Sequence, residues 1–263
     1  MNLELLSKKI SNNLKNELNL DEDKRSIIEY GIFAFFQMGI SILLVAVAGL
    51  IFNVIIEALI ISFVGAFLRK FSGGAHASTS TNCSIVGIVI SVIPAYIVKN
   101  IGLNKSYIII IGILLFISSF IIIYKLAPVD SPNKPIKKKE KIKRLKRGSI
   151  IILFIYMILV VINIGIYYIN TINSFLLYTS CIYIGILWQV FTLTKYGHIV
   201  VNKVDSLLIK ILKYMGEKRM KKLSNKVLMV VAAFATVIAS VVSTSACWWM
   251  MYQPEEPKAL REE

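Results

Sequence analysis

The stretch YIIIIGILLFISSFIIIYKL, residues 107–126, carries a single charge, Lys125, in twenty residues. At 1.5 Å per residue a helix of that length covers about 30 Å, the thickness of bilayer hydrocarbon. Six more windows nearly free of charge lie at residues 31–52, 54–68, 84–98, 150–169, 174–193 and 227–242, and with the first they make up about half of the 263-residue chain. The apolar fraction is 56% and the mean hydropathy +0.70. A soluble fold of this size has too little polar surface to enclose so much apolar chain. Because lipid leaves backbone groups no partner but the chain itself, the expected fold is an all-α polytopic membrane protein with about six transmembrane helices.

Charge supplies the orientation. Thirty Lys and Arg stand against fifteen Asp and Glu, a formal +15, and the stretch 134–147 alone holds nine basic residues and one acidic. Between two apolar spans such a run reads as a cytoplasmic loop on an anionic inner leaflet. Nucleic acid is not an expected partner, since the run contains no aromatic residue and no recognition module surrounds it. The segment 195–222, with Lys203, Lys210, Lys213, Lys218 and Arg219, joins it on the inside, and the uncharged loop near Asn170 faces out. Six spans with both ends cytoplasmic follow, with residues 69–83 at the inner face. Residues 1–25 are polar and amphipathic, so no cleavable signal is expected ahead of the first span. Leu3, Leu6, Ile10, Leu14 and Leu18 recur at helical spacing, which suits an N-terminal amphipathic helix lying on the membrane or packed on the protein's own inner face. Three cysteines, Cys83, Cys181 and Cys247, make no disulfide framework.

Two windows are short. Fifteen residues cover roughly 22 Å, and both short windows flank RKFSGGAHASTSTNC, residues 69–83. A re-entrant or broken segment lining a pocket is the expected consequence. Pro94 should bend the following span. Glu57, a carboxylate within a span, is a candidate functional residue with Arg69 as a possible partner.

The same segment holds the chemistry. A cysteine nucleophile needs a base or a cationic neighbour, most often histidine. His76 precedes Cys83 by seven residues, about 10.5 Å along a straight helix, so a dyad requires the chain to fold back. Gly73, Gly74 and the run 78–81 suit that break, and a helix N-terminus at Cys83 would stabilise a thiolate. Taken alone, the pair also fits a buried thiol and a satisfied histidine. His198 and Cys181 read as structural, and Trp188 as an interfacial anchor. With two histidines and no HExxH, a zinc peptidase lacks ligands; no metal or cofactor is expected.

Arg69, Gly73, Gly74, His76 and Cys83, with the later element APVDSPNKPI at 127–136, resemble the accessory gene regulator protein B (AgrB) family over roughly residues 1–219. The resemblance implies a membrane cysteine endopeptidase of Gram-positive quorum sensing, a homodimer, that processes an autoinducing-peptide precursor. His76 and Cys83 would then be catalytic, with Arg69, Asn82 or Glu57 accessory.

Residues 220–263 look like a second polypeptide, similar to the AgrD-type precursor of that family. The parts are a leader helix at 220–242, a ring segment at 243–251 and an acidic tail at 252–263. The fusion is natural or engineered, and the intact Met220 at the junction leans to engineering. By analogy the scissile bond is Met251–Tyr252, with Tyr252–Gln253 the runner-up. The ring would run Cys247–Trp248–Trp249–Met250–Met251, a thiolactone closing from the Cys247 sulfur to the Met251 carbonyl. Glu255, Glu256, Glu262 and Glu263 could meet Arg69, Lys134, Lys137 or Lys138, although a solvated tail and simple lipid contact explain these charges as well. The rivals are a peptide-exporting transporter without proteolysis and a receptor-like protein whose TSAC mimics a lipobox.

Overall fold

The structure is a computed structural model that describes residues 3–101, 105–130 and 138–218. Eight helices follow in order: α1 (Leu3–Leu18), α2 (Glu22–Ile51), α3 (Ile55–Ser72), α4 (Ser80–Ile101), α5 (Lys105–Leu126), α6 (Lys139–Asn170), α7 (Asn173–Phe191) and α8 (Lys195–Lys218). No strand occurs among the described residues; the one extended pairing is an isolated parallel bridge between Gly73 and Val129.

The six apolar windows ahead of residue 194 fall in α2 to α7, in order. Five of these helices, α2 and α4 to α7, are long and apolar enough to cross a membrane. The remaining one, α3, carries Glu57, Arg69 and Lys70 within eighteen residues. Residues such as Ile110, Ile113, Leu114, Ile117 and Ile121 stand exposed along α5. A surface of that kind is stable against acyl chains and not against water. This is a helical membrane protein.

The short windows prove to be parts of longer helices. α3 has 18 residues and α4 has 22, since the polar residues at their ends are helical too. Between them lies a short break from Gly73 to Thr79. The basic run also differs from a plain loop: Lys139–Arg147 forms the first turns of α6, as expected of Lys, Arg and Glu free of Gly and Pro. Lys138 precedes it as N-cap, and Lys134 and Lys137 lie outside the described residues. So do the leader helix, the ring segment and the acidic tail.

At the centre α3 crosses α7. Gly185 makes the approach possible, because a Cβ there would stand 2.8 Å from Val64 and 2.9 Å from the Ile61 carbonyl. Around this crossing α6 and α5 add Leu153, Tyr156, Leu115 and Ile123 to a core with Leu68, Ile182, Tyr183 and Ile186. Tyr156 donates to the Val64 carbonyl at 2.9 Å. α2 packs mainly on α1, α3 and α4. For α1, contact with its own chain is the arrangement found, with Leu6 against the Phe33 cluster of α2. The turn into α2 is capped by Asp21, whose side chain accepts from the Lys24 amide at 2.7 Å. That hydrogen bond holds the Asp21 carboxyl below its ordinary pKa. α8 presents Val201, Asp205 and Leu208 inward and leaves Tyr196, Val200, Val204, Leu207 and Ile211 exposed, an apolar stripe that suits the headgroup boundary.

Glu57 is 6% exposed and its partner is Lys99 of α4, at 3.1 Å, rather than Arg69. The reason is geometric: Glu57 opens α3 and Arg69 ends it, a rise of roughly 18 Å apart. Lys99→Met should leave a buried carboxylate unpaired and lower stability by about 1–3 kcal/mol. Thermal unfolding in detergent measures this, and adding Glu57→Gln should restore most of the loss.

Candidate active site

The break between α3 and α4 is shaped by two glycines. Gly73 closes α3 at φ +68°, and a Cβ on it would fall 2.1 Å from the Val129 carbonyl oxygen. Gly74 has φ +135°, with Thr192 Oγ1 only 2.7 Å from where a Cβ would stand. Any other residue at either position combines backbone strain with a collision. Val129, just after the cis Ala127–Pro128 bond, donates its amide to the Ser72 carbonyl at 2.8 Å. The two sequence elements singled out above, residues 69–83 and the start of 127–136, thus meet in space.

From the other side the C-terminal end of α7 grips the break. Gln189, 2% exposed, donates through Nε2 to Ser72 Oγ at 2.9 Å and to the Gly73 carbonyl at 2.7 Å. The Ala75 amide donates to the Thr192 carbonyl at 3.0 Å. Arg69, 7% exposed, donates through Nη2 to the Ala75 carbonyl and through Nη1 to Gln189 Oε1 and Thr192 Oγ1, both at 3.5 Å. Ala75 is therefore held at both its amide and its carbonyl, one residue before His76.

Cys83 lies in the first turns of α4, which Thr79 caps by accepting from the Asn82 amide at 3.2 Å. The Cys83 thiol is fully buried, in a cluster with Ala66, Ala75, Ala77, Val86 and Val201. Since Ala75 and Ala77 bracket His76 in sequence, the backbone of His76 runs past the Cys83 cluster; the His76 side chain itself is half-buried. Met38, Ile42, Phe63, Ile90, Trp188 and Leu208 pack around it, so Trp188 joins this cluster as well as meeting the Phe191 ring at a tilt, 5.9 Å between centroids.

Asn82 is 1% exposed and donates through Nδ2 to Asp205 on α8, at 2.8 Å to Oδ1 and 3.4 Å to the carbonyl. With its donors so engaged, Asn82 has none left for an oxyanion unless α8 lets go. Glu57 sits with Lys99 at the far end of α3, away from the break that holds His76. Cys181 is buried with Val45, Ile61 and Val92, a packing residue. Cys247, Trp248, Trp249, Met250, Met251 and Tyr252 lie outside the described residues.

Gln189, Thr192, Trp188, Asp205 and Val129 were not singled out for this site from sequence. They are more than forty residues away along the chain from His76, and of them only Val129 lies in an element noted in the sequence, at 127–136. One cue existed: a glutamine within an apolar span needs partners for both ends of its amide.

A break fixed by a buried arginine, with His76 inside it and a buried Cys83 just after it, set among helices long and apolar enough to cross a membrane, places the chain with polytopic helical membrane proteins. The family described as accessory gene regulator B matches residues 7–193. An AgrB-like protein of Clostridium perfringens strain SM101 is 42% identical over 216 residues, covering 80% of this chain and 100% of that protein. A second, AgrB-like protein 2 of C. perfringens strain 13, is 40% identical over 213 residues with the same coverage. Accessory gene regulator protein B of Staphylococcus intermedius is 32% identical over 144 residues, 55% of this chain and 68% of that one. No solved structure matches. The chain belongs to the accessory gene regulator B family.

Two outcomes follow from this geometry. Asp205→Ala should loosen α8 and raise the rate of Cys83 alkylation by a membrane-permeant maleimide about tenfold, since a lost charged hydrogen bond is worth about 1.5–3 kcal/mol. Cys181 and Cys247 are replaced by Ala in both proteins so that only Cys83 reports. His198 of α8 has its pKa lowered by burial and then by the Arg69 charge. A lowered pKa means stability present above the ordinary histidine value of about 6.5 and lost as pH falls below it. Melting temperature should therefore decline below about pH 6.5, and His198→Gln should flatten that decline.

Proposed function

We propose that this protein is a membrane cysteine endopeptidase of quorum sensing that cuts and cyclises a precursor carried as its own C-terminal segment, 220–263. The observation supporting the reading is the fold-back at Ala75–Ala77, which takes His76 past the cluster of Cys83 while Arg69 and α7 fix the approach. A second support is length: the C. perfringens relatives are matched over their whole length by four-fifths of this chain, so a fifth is left over. That surplus accommodates an apolar leader, a single cysteine and an acidic, proline-containing tail. The protease domain would be 1–219.

In the proposed reaction His76 takes the proton from Cys83, and the thiolate attacks the Met251 carbonyl carbon. The tetrahedral intermediate expels the Tyr252 amine, which leaves with the proton from the imidazolium. An acyl thioester on Cys83 remains. Cys247 loses its proton to His76 and attacks the same carbonyl, forming the thiolactone, and the Cys83 sulfur leaves and is reprotonated. Thioester exchange is close to thermoneutral, so ring closure prevails over hydrolysis where water is kept out and the Cys247 sulfur held near. The complete enclosure of Cys83 by alanine, valine and tryptophan side chains suits that requirement. It also demands that a neighbouring element move to admit substrate. The helices at the edge of this cluster are α2 and α8.

We place residues 69–83 at the inner leaflet, both termini in the cytoplasm of a Gram-positive cell, and Lys138 among the charges available to the acidic tail. The partner is the precursor, here in cis, and the working unit a homodimer in an anionic bilayer.

Mass spectrometry after expression in membranes tests the reading. The segment beginning at Tyr252 should be released from the parent, and Cys83→Ala or His76→Ala should reduce release at least a hundredfold. Cys247→Ala should still permit acylation of Cys83 and form no ring. A transporter would leave the tail intact and tolerate all three substitutions.

A further inference from the structure

Serine and threonine hydroxyls buried in membrane helices ordinarily donate to the carbonyl one turn back, and Ser72, Ser149, Thr179 and Ser180 do so here at 2.9–3.0 Å. A second set does not. Among the described residues the buried side-chain atoms without a hydrogen-bond partner are both amide atoms of Gln37, Oγ of Ser41, Oδ1 of Asn82 and Oγ of Ser84 and Ser91. All five residues belong to α2 or α4.

Their levels coincide. Gln37 and Ser41 lie on the buried stripe of α2 that runs Phe33–Gln37–Ser41–Val45–Gly49. Their neighbours Met38 and Ile42 pack into the Cys83 cluster, and Val45 packs with Val92 and Ala95 of α4. Gln37 and Ser41 thus stand at the height of α4 that carries Asn82, Ser84 and Ser91, beside the thiol and the turns above it. Each such orphan costs about 1–3 kcal/mol, and membrane interior offers no solvent to relieve it. A fold that leaves several on two packed helices at one level, while Ser72, Ser149, Thr179 and Ser180 of other helices donate one turn back, holds them for something that enters.

We propose that the seam between α2 and α4 is the binding groove for an extended polypeptide, the substrate strand around Met251–Tyr252. This rests on the peptidase reading above. An extended strand brought among membrane helices carries unpaired N–H and C=O groups of its own, which need partners there. The spacing fits: Ser84 to Ser91 is about 10.5 Å along α4, three residues of strand, and Gln37 to Ser41 is about 6 Å, two residues. Gln37 supplies both a donor and an acceptor, and the hydroxyls supply either. The orphans are wholly enclosed, so a second copy docking on the outer surface does not reach them; the occupant has to come between the helices. α2 is the element able to part, since it packs mainly on α1, α3 and α4 and takes no place in the α3–α7 core.

Two measurements on the full chain test the groove. In the first, p-benzoylphenylalanine replaces Tyr252 in a Cys83→Ser background, and photocrosslinks are mapped by mass spectrometry. Adducts on residues 37–45 of α2 or 82–91 of α4 support the groove; adducts elsewhere, or none, overturn it. This arm needs no turnover, so it stands even if Cys83 proves not to be the nucleophile, an outcome read separately from the Cys83→Ala result. In the second, Ser41→Ala, Ser91→Ala and Gln37→Leu are compared for melting temperature and rate of tail release. Removal of unsatisfied groups should leave melting temperature unchanged or higher while slowing release by about tenfold each. Unchanged release at unchanged or higher melting temperature means that the seam is only a packing defect, and overturns the proposal.

Discussion

A guanidinium 7% exposed among membrane helices is the constraint on which the rest is built. Its charge cannot be left without acceptors in a medium of low dielectric, so the chain around Arg69 is arranged to supply them: the Ala75 carbonyl, Gln189 and Thr192. That demand turns the chain at Gly73 and Gly74, brings the end of α7 against the end of α3, and leaves Ala75 with no freedom. Lysine would not substitute, because a single ammonium cannot reach along a planar fork to a loop carbonyl and a helix end at once. The position of His76 is thus a consequence of satisfying a charge seven residues earlier.

The transmembrane architecture was legible because it follows from one quantity, the length of uncharged chain. Each of the six windows lies within one helix, to within a residue or two at its ends, and the identity of those helices needed no tertiary information. Their ends were less legible, since apolarity marks where lipid is and not where hydrogen bonding stops. Arg69 and Lys70 continue α3, and Lys139–Arg147 begins α6, although both lie outside the apolar windows. The proposed pairing of Glu57 with Arg69 failed for the related reason that charge complementarity in sequence ignores which end of a helix each residue occupies.

In the candidate site, Arg69, the two glycines, His76 and Cys83 stood out from sequence because they lie within fifteen consecutive residues. What orders them did not. Gln189, Thr192 and Val129 act through backbone groups, a hydroxyl or a neutral amide, and such groups leave no compositional trace. Asp205 resembled one more charge on a basic amphipathic helix until its inward face was known. A Cys–His pair seven apart would need a break in the chain; the groups that hold the break at 73–79 come from 50 to 120 residues away in the sequence.

Enclosure of Cys83 has two consequences that pull in opposite directions. A thioester surrounded by alanine, valine and tryptophan is poorly reached by water, which favours intramolecular capture by a second sulfur over hydrolysis. The same walls would exclude the peptide that the proposed reaction requires to form that thioester. A static pocket cannot satisfy both, so chemistry of the proposed kind needs an element that opens for substrate and closes before the acyl group is exposed. α8 is held beside the thiol through Asn82 and Asp205, and α2 through apolar contacts beside hydroxyls that have no partners. An interface with unsatisfied polar groups is weaker than its buried area implies and parts more readily than the core crossing of α3 and α7. The polar atoms that make the closed state imperfect would then be those that make the open, peptide-filled state favourable.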